Sequence, residues 1–179
     1  MKKLLYALLS TILLTGCGEI SNTPIKQVEG FFNKYQTLDQ DVLDDLENVI
    51  LEENMFDETN KEKYRDIVKK QYKDLTYYVK DETIDGDTAV VTVEITVYDF
   101  ASALSESEEY KNNHISEFND ENGNFSQTKY IDYAIEKLNK TKEKVKYTLD
   151  LNLNKIDNEW QLADLDRNME DKILGIYEK

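Results

Sequence analysis

The sequence predicts an α+β domain in which helices cover one face of an antiparallel sheet. Apolar residues recur at helical spacing through residues 25–72, and they alternate with polar residues in two later stretches. Each alternating stretch has a tight-turn dipeptide beside it, which favours a hairpin between neighbouring runs. Helices and hairpins that are segregated along a chain pack as two layers around one core.

Three amphipathic helices are predicted before the first strand. Thr23-Pro24 is a favourable start, because threonine caps a helix and proline fits its first position. The capping-box patterns Thr37-x-x-Gln40 and Thr59-x-x-Glu62 predict the starts of the second and third helices. Their apolar stripes are Ile25, Val28, Phe31, Phe32 and Tyr35, then Leu38, Val42, Leu46, Val49 and Ile50, and last Tyr64, Ile67, Val68 and Tyr72.

Two hairpins are predicted, each made of two β-prone runs with a turn dipeptide between them. Apolar side chains alternate with polar ones in these runs, so each strand buries one face only. The runs and turns are residues 75–84, Asp85-Gly86 and 89–97 in the first hairpin, and residues 145–153, Asp157-Asn158 and 160–164 in the second.

A helical insertion separates the two hairpins. Residues 100–118 and 129–142 have helical character, and the polar residues 119–126 between them predict a loop. A last apolar segment lies in residues 169–179, and we expect it to dock on the core. Its apolar residues are Ile173, Leu174, Ile176 and Tyr177.

The N-terminus has the features of an export signal. Met1-Lys2-Lys3 is positively charged, and residues 4–14 are almost wholly apolar but too short to span a bilayer. The following Leu14-Thr15-Gly16-Cys17 resembles the lipobox of bacterial lipoproteins, in which the cysteine receives the lipid and becomes the new N-terminus. The alternative is an ordinary secretory signal with a chance cysteine.

The lipobox resemblance implies a division of the chain into three parts. Residues 1–16 would be the signal peptide, residues 17–23 the lipidated Cys17 and a tether, and residues 24–179 a single domain. It also implies a location on the extracytoplasmic face of the cell membrane, because two or three acyl chains anchor a protein stably where one does not.

Composition limits the classes of partner and site. Cys17 is the only cysteine, so the domain after it has neither a disulfide nor a thiol-based metal site. The formal net charge of −15 argues against binding the phosphate backbone of DNA or RNA. The same charge repels anionic lipid headgroups, so we expect the domain to stand off the membrane on its tether.

An acidic run without lysine or arginine crosses the second predicted helix. As a functional feature it would meet a basic partner or weakly gather cations, whereas the structural alternative is a solvated helix face. Its members are Asp39, Asp41, Asp44, Asp45, Glu47, Glu52, Glu53, Asp57 and Glu58.

The order of elements resembles the NTF2-like, cystatin-like cone fold, as found in small exported lipoproteins of low-GC bacteria. The likeness depends on Tyr72-Lys73-Asp74-Leu75-Thr76-Tyr77, on residues 81–97 with their Asp-Gly turn, and on Glu159-Trp160-Gln161-Leu162. It implies N-terminal helices on a curved antiparallel sheet, with a helical insertion and a pocket on the concave face. The fold does not specify a ligand, because it hosts enzymes, binding modules and structural domains alike.

Motifs that carry chemistry are mostly absent from the sequence. His114 is the only histidine, and no zinc motif, nucleophile elbow or phosphate loop is present. The two glycines tested as the sixth position of a calcium loop, Gly86 and Gly123, place Thr92 and Lys129 where the loop needs its final glutamate. We therefore expect no cofactor and no metal.

Two functions remain open for the domain. The preferred one is a non-catalytic module that binds a cell-envelope protein or a small ligand, with Cys17 as the membrane contact. The alternative is a small-molecule enzyme that uses a pocket acid with a tyrosine. Inward-facing candidates are Tyr77, Asp81, Tyr147 and Asp164. A carboxylate buried in an apolar cavity would favour the enzyme, whereas its absence, with an aromatic or charged groove on the outside, would favour the binding module.

Overall fold

The computed structural model describes residues 22–52 and 56–178, so the predicted signal peptide and Cys17 lie outside the described residues. The described residues form an α+β domain, which confirms the predicted fold class. Its elements in chain order are α1 (Pro24–Thr37), α2 (Gln40–Glu52), α3 (Glu58–Asp74), β1 (Thr76–Asp85), β2 (Thr88–Tyr98), α4 (Phe100–Asn113), a 3-10 turn (Ile115–Phe118), α5 (Gln127–Lys140), β3 (Lys144–Ile156), β4 (Glu159–Leu162) and α6 (Arg167–Leu174).

The four strands form one antiparallel sheet in the order β1-β2-β3-β4. The first hairpin is confirmed, but its turn lies one residue later than predicted. Asp85 pairs with Thr88, so the turn residues are Gly86 and Asp87. Only Gly86 needs a positive φ, at +59°, which glycine adopts without strain. The aspartate before it is the last strand residue.

The second hairpin turns at Asp157-Asn158, as predicted. Both residues have positive φ, 51° and 71°, which is the requirement of a type I′ turn and suits aspartate and asparagine. β4 ends at Leu162, so the predicted continuation of this strand to Asp164 is wrong.

Two of the predicted helix caps are also wrong. Thr37 is the last residue of α1, and its hydroxyl donates to the carbonyl of Asn33. α3 begins at Glu58 because the side chain of Asp57 accepts the N–H of Asn60, so Thr59 lies inside the helix. The Thr23 cap is confirmed, since its side chain accepts the N–H of Lys26.

The main core lies between the sheet and helices α1, α3 and α6. Alternate residues of β2 and β3 face this layer and are almost completely buried, which the period-2 pattern predicted. Because large side chains from both layers meet there, the space between the sheet and the helices is filled. The core includes Val28, Phe32, Val68, Leu75, Val91, Val93, Ile95, Leu149, Leu151 and Ile173.

The helical insertion forms an antiparallel pair, α4 and α5, that packs on α3 and builds a second, smaller core. Ile67 of α3 contacts this core from the body of the domain. Of the helices in residues 22–52 and 56–178, none is both long enough and apolar enough to cross a bilayer. The insertion's apolar residues are Phe100, Ala103, Ile131, Ile135 and Leu138.

The C-terminal segment docks on the body of the domain, as predicted. Ile173 is buried in the main core. The buried Gln71 of α3 donates to the carbonyl of Leu174 at 2.8 Å and to that of Tyr98 at 3.2 Å, and it accepts the N–H of Tyr98 at 2.9 Å. The N–H of Ala101 also donates to the carbonyl of Gly175. These bonds join α3, the end of β2 and the C-terminal segment at one point.

The outer face of the sheet carries a cluster of three charges. Glu94 of β2 lies 2.8 Å from the ammonium groups of both Lys80 and Lys146. β1 has a bulge between Val79 and Asp81, which places Lys80 at the irregular position. The two lysine hydrogen bonds and charges lower the pKa of Glu94 to about 2.

We expect the Glu94 carboxyl to titrate near pH 2, measured by carboxyl carbon NMR of the folded chain. The pKa of Glu94 is lower in the folded state than the ordinary glutamate value of 4.5, so its stabilising effect is complete above pH 4.5 and is lost as the pH falls towards 2. Replacement of Lys146 by methionine should raise the pKa of Glu94, whereas replacement of Lys155, on the same strand, should not. A wild-type value near 4.5 would contradict the assignment.

Candidate functional site

An open groove lies between the N-terminal helices and the helical insertion. α2 packs on the body of the domain through Val42, Leu46 and Ile50, but Val49 on the adjoining side is 60% exposed. The α4–α5 pair meets α3 near Ile67 and diverges from α2, which leaves a space between them. The groove has two parts, which differ in the chemistry of their walls.

The apolar compartment is a cavity of about 400 Å³, and no charged side chain lines it. Its size lies within the range of small-molecule sites. The polar side chains of the lining are Tyr64, Gln127 and Tyr130, and the Tyr130 hydroxyl donates to Glu108 outside the cavity. The lining residues are Val49, Ile50, Phe56, Tyr64, Val68, Phe100, Leu104, Gln127, Tyr130, Ile131, Ala134, Ile135, Leu138, Leu174 and Ile176.

The polar compartment adjoins the apolar one and has a volume of about 510 Å³. The two share Val49, Tyr64, Val68 and Leu174, so they are parts of one groove. The polar compartment adds the acids Asp45 and Glu170, which are both exposed. Its lining residues are Tyr35, Asp45, Leu46, Asn48, Val49, Tyr64, Val68, Tyr72, Glu170, Ile173 and Leu174.

Tyr35 and Tyr72 form the floor of the polar compartment as an edge-to-face pair, with ring centroids 4.8 Å apart. Burial, with the nearby charges of Asp45 and Glu170, raises the pKa of Tyr35 to about 12. Burial also raises the pKa of Tyr72 above its usual value, with smaller contributions from Tyr35, Tyr64, Asp45 and Glu170. Both hydroxyls therefore stay protonated at physiological pH and are available as hydrogen-bond groups.

No family model, curated protein or solved structure matches the chain. Within the described residues, no group of three or more histidine, aspartate or glutamate side chains is arranged to hold a metal ion. The geometry of the groove is therefore the basis of the functional argument.

The structure does not bring together the four residues predicted to line a pocket. Tyr77 and Tyr147 lie in one row across the sheet, since each is level with Ile95 of β2, but two strand spacings separate them. Tyr77 stacks on Phe32, and Tyr147 is buried with its hydroxyl donating to the carbonyl of Tyr177. Both tyrosines belong to the main core.

The two predicted acids do not face inward. Asp81 follows the bulge of β1 and pairs with Thr92, which places it on the exposed face of the sheet. Asp164 follows β4 in an exposed segment. His114 is exposed, and its ring stacks on that of Tyr110 with centroids 4.1 Å apart.

Sequence reasoning missed the groove because it assigned every apolar stripe to one core. A signal was present in α2, where Val49 widens the apolar stripe beyond the face that packs on the body of the domain. A second signal was the apolar side of the insertion. Its own small core does not fully cover Leu104 and Ala134, which line the apolar compartment. Only the packing angle between these helices decides whether such faces close or leave a cavity.

Proposed function

We propose that the chain is a non-catalytic binding module whose ligand lies in the groove. The observation that supports this most directly is the apolar compartment, an open cavity of about 400 Å³ with no carboxylate in its wall. Apolar surface of a ligand transferred there from water contributes about 25 cal/mol per Å². An acid–base enzyme would need a buried acid beside the reacting group, and both acids of the adjoining compartment are exposed.

Filling the apolar compartment should abolish binding of a neutral apolar probe. Ala134 lines the cavity on α5, so Ala134→Trp would occupy the space that a ligand uses. We expect N-phenyl-1-naphthylamine to bind the wild-type chain saturably at one site and the variant at least about tenfold more weakly, a change of about 1.4 kcal/mol. Fluorescence titration measures both.

The matched control for this experiment is Ser105→Trp, which adds an indole at an exposed position of α4 outside the groove. It should bind the probe like the wild type. Equal binding by the Ala134 variant, with unchanged circular dichroism, would show that the compartment is not the binding site and would overturn the proposal.

We also propose that the module is a lipoprotein, anchored through Cys17 on the extracytoplasmic face of the cell membrane, with a cell-envelope protein or a small molecule as its ligand. The lipobox-like Leu14-Thr15-Gly16-Cys17 supports this. Replacement of Cys17 by serine should move the protein from the membrane fraction to the soluble fraction and prevent incorporation of labelled palmitate. Retention and labelling of the variant would contradict the anchor.

For the fold we propose the NTF2-like, cystatin-like cone. Three N-terminal helices followed by an antiparallel sheet with a helical insertion between β2 and β3 support it. If the fold is this cone, core side chains fill the space on the concave face of the sheet. The binding site is then in the groove beside the insertion. A crystal structure with a flat sheet, not curved around the helices, would overturn this fold assignment.

A further inference from the structure

The two compartments form a single groove with one apolar and one acidic end. Tyr64 and Val68, one turn apart on α3, line both compartments, so the two compartments adjoin along this helix and one ligand can contact both. The ligand that matches this arrangement is amphipathic. The chemistry of the polar end decides which kind of head group it carries.

Negative charge at the polar end is not balanced by the protein. Asp45 of α2 and Glu170 of α6 both line the compartment, and no lysine or arginine lines it. Neither carboxylate forms an ion pair or a side-chain hydrogen bond with another described residue. The charge that complements this end of the groove is therefore positive.

The second observation is the Tyr72 side chain. It is only 8% exposed and lines the polar compartment, but its hydroxyl makes no hydrogen bond with the described residues. The hydroxyl is not among the fully buried unpartnered atoms of the described residues, so its oxygen is open to the compartment and is available to accept a hydrogen bond from a ligand.

We propose that the groove binds a small amphipathic amine, an inference that rests on the proposed binding function. Its apolar part fills the compartment between α2 and α5, and its ammonium lies between Asp45 and Glu170 and donates to the Tyr72 hydroxyl oxygen. Anionic amphiphiles are excluded by the same two carboxylates and by the formal net charge of −15.

Three probes with the same apolar ring test the proposal on the full chain. They are 1-naphthylmethylammonium, 1-naphthalenemethanol and 1-naphthoate, which differ in the charge of one substituent. Calorimetry should show the cation binding at least about tenfold more tightly than the alcohol, a difference of about 1.4 kcal/mol, and the anion more weakly than the alcohol. Ala134→Trp should weaken all three.

The double variant Asp45→Asn and Glu170→Gln, which removes both negative charges, tests the origin of this preference. We expect it to bind cation and alcohol with affinities within about twofold of each other, with the alcohol unchanged. The matched control is Asp157→Asn with Glu159→Gln, which removes two exposed acids at the β3–β4 turn, and it should retain the preference for the cation. Raised salt should reduce the preference in the wild type.

The outcomes separate the two proposals. Equal binding of cation and alcohol to the wild type, or an equal loss of preference in the control variant, would overturn the amine assignment and leave the binding function standing. Binding of no probe, or binding that Ala134→Trp does not weaken, would overturn both.

Discussion

Replacement of Gly175 by alanine is expected to lower the free energy of unfolding by about 2–5 kcal/mol. Gly175 is buried directly after α6 with φ at +76°, where an L side chain is strained by about 1–2 kcal/mol. An added Cβ would also lie 2.1 Å from the carbonyl oxygen of Tyr98 and 2.5 Å from the Gln71 amide nitrogen. The first neighbour is backbone, so relief requires the C-terminal segment to move and its hydrogen bonds to weaken, at a further cost of about 1–3 kcal/mol.

Chemical denaturation of the variant and of Gly86→Ala measures this effect. Gly86 also has positive φ, at +59°, but an added Cβ would meet no atom within 4 Å. In the Gly86→Ala control, the free energy of unfolding should therefore fall only by the cost of backbone strain, about 1–2 kcal/mol. Similar losses in the two variants would show that the close approach of Gly175 to Tyr98 is not a constraint on the fold.

Replacement of Gln71 by methionine is expected to lower the free energy of unfolding by about 2–4 kcal/mol. The two side chains have similar shape and volume, so the change removes hydrogen bonds without opening a large cavity. It leaves the N–H of Tyr98 and the carbonyl of Leu174 without their partner, and an unsatisfied buried group costs about 1–3 kcal/mol.

The control for this variant is Gln161→Met on the exposed side of β4, which should change stability by no more than about 0.5 kcal/mol. The Gln71 variant should also bind the neutral naphthylamine probe more weakly, because Leu174 and Ile176 form one wall of the apolar compartment. A stability equal to that of the control would mean that water replaces the lost amide at no cost.

Local sequence patterns were sufficient for the elements but not for their exact ends. The alternation of Val91, Val93 and Ile95 with polar residues predicted both the strand and its buried face, since period-2 burial is decided within one strand. The caps at Thr37 and Thr59 were assigned wrongly because other residues nearby compete with each threonine. At α3 the competitor is Asp57, whose carboxylate satisfies the free N–H groups of the first turn.

The candidate site could not be predicted from the sequence to the same extent. Tyr35, Asp45 and Glu170 come from three helices that are distant in sequence, and their proximity depends on how α6 returns to the body of the domain. That return is directed by Gln71, a polar residue on the buried side of an amphipathic helix, which the apolar pattern did not include. Buried polar contacts of this kind have no periodic signal, although they decide how elements meet.

The bulge in β1 affects how copies of the chain meet one another. β1 is one edge of the sheet, and its ten residues would offer a long row of free backbone groups to a strand from another molecule. The register shift next to Lys80 interrupts that row, and the adjacent Asp81 and Glu82 add charge at the same place. The opposite edge is β4, which is only four residues long. Both borders of the sheet are thus poor templates for intermolecular β-pairing, a protection against aggregation that matters most where many copies are concentrated on one surface.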